Sequence, residues 1–140
     1  MATGQEKQEI TNAVDTWASA MSAADGPKLK SLWDTSYANV IYLAEENEQA
    51  LVGWSGINDY YDGLASGLSD AKWTVDNLVV DVFGDTAYAN CTAIGQSGHN
   101  PRYEYVMRDT FIFRKIGGQW KIIHYHESAN PTIGADGHTI

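Results

Sequence analysis

Residues 107–128 read MRDTFIFRKIGGQWKIIHYHES. Two runs of β-branched, aromatic and polar residues flank a Gly-Gly pair, the signature of a β-hairpin. Alternation gathers Phe111, Phe113, Ile123 and Tyr125 on one face and sends His124, His126 and Ser128 to the opposite one. The turn sets what faces what. A three-residue loop brings position 111 opposite 125 and Asp109 opposite Glu127. A two-residue loop instead brings Glu127 opposite Arg108, as a plain surface ion pair. The residues leave both registers open; the first is the one expected.

Upstream of this hairpin the pattern stays β back to Lys72, through KWTVDNLVVDVFG, TAYANCTAIGQS and RYEYVMRDTFIFRKI, with turns at Gly84-Asp85 and a wider loop GHNP at 98–101. Before Lys72 it is helical. Ile10, Val14, Trp17, Met21 and Ala24 recur at helical spacing, predicting a helix over about residues 5–24. DGPKLKSLWD supplies a turn and a short helix carrying Leu29, Leu32 and Trp33. YANVIYL (37–43) reads as a strand and AEENEQALVG as a polar loop. A third helix is expected over about 54–68, with Ile57, Tyr60, Tyr61, Leu64 and Leu68 as its buried stripe. From about residue 129 the tail has little to pack against and is expected to be mobile, or ordered only by a partner. Helices followed by an antiparallel meander make one α+β domain over 1–140.

The chain carries 9 basic and 18 acidic residues, a net charge of −9. No Lys/Arg cluster is present, so nucleic acid and anionic membranes are excluded as expected partners. A single cysteine, Cys91, with no basic-then-apolar leader, points to a reducing compartment, and the cytoplasm is the expected location. Cys91 is expected to be buried and inert. His124 and His126 have chelating spacing but no third ligand, so no metal is expected; no calcium loop, hydrolase triad or cofactor motif is read either.

The run MRDTFIFRKIGGQWKIIHYHESANP (107–131) resembles the end of the association domain of calcium/calmodulin-dependent protein kinase II, with its Thr-bearing strand, Gly turn before Trp and HxHxS ending before a Pro. A weaker, collinear likeness extends through GDTAYA and VGWSGINDYY. The chain is thereby identified as resembling the NTF2-like superfamily, which includes SnoaL-like cyclases and ketosteroid isomerases. The resemblance implies three N-terminal helices packed on a strongly bent, mainly antiparallel sheet, forming a cone with a pocket. It also implies that Tyr105, Met107, Asp109, Phe111, Phe113, Ile123, Tyr125 and Glu127 point inward. His124, His126 and Arg108 would then lie at an oligomer interface, in a homodimer or larger ring, with Arg114 also placed to pair with acidic residues across it.

Within such a cone Asp109 and Glu127 are the expected catalytic pair, because two adjacent carboxyls out of water cannot both ionise cheaply. Aligned on DTFIF, Asp109 falls where ketosteroid isomerases keep a neutral aspartic acid that donates to an oxyanion. Trp17 falls at their oxyanion-hole tyrosine, and Glu45 and Glu46 are approximate matches to their base. The association domain's cavity arginines correspond to Ile94, Phe111 and Glu127, so this pocket is apolar and acidic. Its expected walls are Trp17, Trp33, Tyr42, Tyr60, Ile94, Phe111, Phe113 and Tyr125. The expected ligand is a small, mainly apolar, neutral or cationic molecule. The expected chemistry is proton transfer of isomerase, cyclase or dehydratase type, and the alternative is a non-enzymatic association module.

Overall fold

A computed structural model describes residues 3–67, 71–98, 100–133 and 137–139. Helix α1 (Gly4–Ala23) opens on a capping box in which Thr3 and Glu6 satisfy each other's backbone amides, and closes on Ala24 in the left-handed region. Its apolar stripe, Ile10, Val14, Trp17 and Met21, is buried as the spacing predicts. Short α2 (Gly26–Ser31) follows, capped by Asp25. Then come β1 (Ile41–Leu43), β2 (Leu51–Val52) and α3 (Trp54–Gly67), and the long strands β3 (Ala71–Phe83), β4 (Thr86–Ser97), β5 (Tyr103–Ile116) and β6 (Gln119–Ala129). The expected stripe residue Leu68 lies outside the described residues.

All strands join one curled, unclosed sheet in the order β2-β1-β6-β5-β4-β3. Every pairing is antiparallel except β1 with β6. The strand expected over 37–43 shortens to 41–43, and the polar loop after it contains β2, which returns beside β1. The tail turns over 131–133 and lays β7 (His138–Thr139) against Tyr103 and Glu104 of β5, so it finds a pairing partner within the chain. No helix among the described residues is long and apolar enough to cross a membrane.

Two bulges bend the sheet around the helices. In β3 the register shifts between Asp76 and Val79, where Asn77 takes a positive φ of 53°. In β6 the shift falls at Ile123: Phe113 pairs with Ile122, and Ile112 pairs with His124. This resolves the open register in a way neither alternative anticipated. The Gly117-Gly118 turn is a two-residue loop, both glycines at positive φ, with Ile116 opposite Gln119. The extra residue Ile123 then restores the pairing of Asp109 with Glu127 and of Phe111 with Tyr125. Ile123 itself is therefore not an inward residue in phase with Tyr125. Before the bulge the buried positions are Trp120 and Ile122.

The hollow follows from side-chain size. The inner face of β4 presents Ala87, Ala89, Cys91, Ala93 and Gly95, all buried and small. Its neighbours present large rings: Trp73 opposite Gly95, Phe111 opposite Ala89, Phe113 opposite Ala87. Helix α1 packs across β3 and is pinned there by Ser22, whose Oγ accepts the Trp73 N–H at 2.8 Å.

Candidate functional site

Between helix α1, the loop after β1 and the curled sheet lies a cavity of about 420 Å³, within the range of small-molecule sites. Its walls include Trp17, Tyr42 and Tyr125, as expected, together with Glu127. Other expected wall residues sit elsewhere. Phe111 and Phe113 are fully buried behind the lining, Phe111 meeting Trp17 edge-on at 5.2 Å between ring centroids. Trp33 is core: it bridges to Ile122 and donates its indole N–H to the Tyr61 hydroxyl at 3.0 Å. Tyr60 stands behind Tyr42, 5.0 Å between centroids, and donates to Glu46 at the mouth. Ile94 is a correction, because it alternates with the inward Ala93 and Gly95 and so belongs to the outer face.

Tyr105 and Met107, expected to point inward, line it too, as do Glu45 and Glu46, while Met21, Tyr61, Leu64 and Trp73 are lining that was not expected. Trp73 was legible only as a strand residue. Its indole lies flat over Gly95, where an added Cβ would stand 2.8 Å from the ring. The two glutamates ride on a tight turn closed by Asn47, whose side chain accepts the Ala44 N–H at 2.8 Å and whose own N–H donates to the Ala44 carbonyl at 3.0 Å.

Asp109 and Glu127 meet as cross-strand neighbours, and Tyr125 joins them. The Tyr125 hydroxyl lies 2.7 Å from Glu127 Oε2 and 3.1 Å from Asp109 Oδ2. One hydroxyl has one proton, so it can donate to only one carboxyl; the other must itself carry a proton to bond the same oxygen. Asp109 is wholly buried, and its Oδ1 has no hydrogen-bond partner among the described residues. Burial first, then the charge of Glu127, pushes its pKa well above the carboxylate range. Glu127 is raised too, chiefly by burial and by Glu46, although the Tyr125 hydroxyl and the Glu45 N–H at 3.4 Å oppose the shift. With the proton on Asp109, the more strongly raised of the two, the three groups form a short chain in which Asp109 donates to Tyr125 and Tyr125 to Glu127. Glu127 and Tyr125 face the cavity, whereas Asp109 does not line it and can act only through Tyr125.

Burial and the two carboxyls also raise Tyr125, and burial with the Asp109 and Glu127 charges pushes Cys91 up to about 12, so that thiol stays protonated. On the outer face His126 and Arg108 are exposed, His124 is half-buried, and the Arg108 Nε–H donates to Ser128 Oγ at 3.1 Å. His124 is held below its ordinary pKa by burial and by His126. Among the described residues no three His, Cys, Asp or Glu converge as metal ligands. Arg114 pairs within its own chain, with buried Asp34 at 3.4 Å, rather than waiting for a second subunit. Burial alone would raise Asp34, but the Ser36 hydroxyl and amide together with Arg114 hold it below the ordinary range.

The SnoaL-like domain family matches residues 10–132. The chain belongs to this family. No curated protein sequence matches it, but solved structures of the NTF2-like fold do. A candidate dehydratase of the NTF2-like family from Streptomyces avermitilis shares 22% identity with this SnoaL-like chain, covering 90% of it and 96% of the relative, at a TM-score of 0.80. A candidate scytalone dehydratase from Novosphingobium aromaticivorans shares 12%, over 90% and 85%, at 0.76. The calcium/calmodulin-dependent protein kinase II hub from S. rosetta shares 19%, over 93% and 100%, at 0.73. At these identities the likeness establishes the fold of the SnoaL-like chain and nothing finer.

Proposed function

We propose that this SnoaL-like protein binds a small, mainly apolar molecule in its cone and moves a proton on it, in a dehydratase-, isomerase- or cyclase-type reaction. The observation that carries this reading is one tyrosine hydroxyl bridging a buried and a half-buried carboxyl, both with raised pKa values, at the floor of an aromatic cavity. Glu127 takes a proton from a carbon next to a carbonyl, breaking C–H and forming O–H. Tyr125, resupplied by Asp109, gives a proton to the oxygen that gains charge or leaves as water. Two structural relatives carry dehydratase names, which agrees with this class. A panel of cyclic β-hydroxyketones and enones, followed by loss of substrate and by solvent-deuterium uptake at carbon, tests it. Turnover by the native chain should fall at least about 100-fold in Glu127→Gln. Turnover that survives that change, or binding with no turnover or exchange anywhere in the panel, overturns it.

A second reading has its own support: self-association through the outer sheet face. Val79 and Phe83 lie exposed on that face, alongside His124, His126 and Arg108, and one structural relative is named a hub. Light scattering on the native chain and on a His124→Ala/His126→Ala variant tests this. A native monomer, or an oligomer whose size the double change leaves untouched, counts against these residues as the interface.

A further inference from the structure

We infer that the cavity selects an organic cation, a small ammonium compound with an aromatic or branched apolar body, over neutral and anionic molecules of the same shape. The inference rests on the pocket reading above and narrows its ligand class.

Charge and ring geometry both point this way. Three glutamates line the cavity, Glu45 and Glu46 at the mouth and Glu127 on the floor, and no Lys, Arg or His among its lining residues offsets them. Polar contacts position them. The Asn47-closed turn fixes the backbone of the first two, the Tyr60 hydroxyl donates to Glu46, and the Glu45 N–H reaches Glu127. Burial is the main cause of the upward shifts of Tyr42, Tyr60, Tyr61 and Cys91; Glu46 and Glu127 add to the first two, and Glu127 to the others. Between mouth and floor the lining is aromatic, with Trp17, Tyr42, Tyr61, Trp73, Tyr105 and Tyr125 contributing ring surface. Trp17 lies 6.4 Å from Trp73 and 5.9 Å from Tyr125, and Tyr42 stacks on Tyr125 at 5.1 Å. Such faces attract a cation through their quadrupole, most strongly where water is excluded. An anion would meet both the ring faces and three carboxylates, and would have to shed its own hydration for no return.

Isothermal titration of the full chain at low salt, with phenyltrimethylammonium, its neutral isostere tert-butylbenzene and benzenesulfonate, tests the inference. The cation should bind at least about tenfold tighter than the isostere. Benzenesulfonate should not compete. In Glu45→Gln/Glu46→Gln, whose changed side chains are exposed at the mouth, the preference should shrink by roughly threefold. Equal affinity for cation and isostere, or a preference untouched by the double change, overturns the inference and leaves the pocket reading standing. Binding of none of the three by the folded chain overturns both.

Discussion

The two faces of the β5–β6 hairpin are built from the same residues' neighbours, one position apart, and could hardly differ more. On the inner face Asp109, Phe111, Phe113 and Tyr125 are buried, and the Tyr125 hydroxyl meets one carboxyl oxygen of Asp109. On the outer face Arg108 and His126 meet water, and Arg108 bonds the Ser128 hydroxyl. A carboxyl on the wet face would titrate as any other. The same group one residue over loses its solvation and gains a proton. What separates chemistry from surface here is the parity of a strand, and one bulged residue, Ile123, keeps that parity aligned between two strands joined by a two-residue turn.

The contrast can be broken from either side. Tyr125→Ala removes an inner-face ring that packs on Tyr42, Phe111 and Trp17, and should cost about 3–5 kcal/mol in urea unfolding. Gly95→Ala forces the Trp73 ring off its seat; a loss of about 1–3 kcal/mol is expected, with weaker ligand binding as the indole moves into the cavity. Asp109→Asn keeps shape and removes the titration. A carboxyl whose folded pKa exceeds its ordinary 3.8 stabilises the fold fully below that ordinary value, and the contribution is lost as pH rises through the folded pKa. The variant's melting temperature should therefore gain on the native chain between about pH 4 and pH 8, by roughly 3 °C or more. A gap constant across that range would show that Asp109 is not the titrating group. Smallest of all, His126→Ala on the exposed face should move stability by no more than about 0.5 kcal/mol, measured at a concentration where the chain is monomeric.

Much of this was legible in the residues because strand alternation and helical spacing are strong signals. The stripe of α1 and the four long strands follow from them, whereas the meeting of Asp109 with Glu127 was the expected one of two open registers. Ile123 could not be read as a bulge, since a β-branched residue in a strand carries no mark of one, and the correct pairing was reached through the wrong loop length. Ile94 was placed inward by alignment to another family's arginines, whereas its own neighbours Ala93 and Gly95, small and alternate, were the better guide to the hollow. Trp33 was placed on the wall but fills the core, and Trp73, read only as a strand residue, lines the cavity. A tryptophan's spacing shows that it is buried but not whether it fills the core or edges a cavity, and that depends on the glycine opposite Trp73.

The central claim is that Asp109 keeps its proton at neutral pH and resupplies Tyr125, the proton donor beside the base Glu127. Carbon-13 NMR of the side-chain carboxyls, titrated from acid to alkaline pH with Asp109→Asn to assign the signal, measures this directly. The Asp109 carboxyl should still be in its protonated position at pH 7 and should shift when Tyr125 is changed to Phe. An Asp109 signal that titrates near the ordinary 3.8 would contradict it.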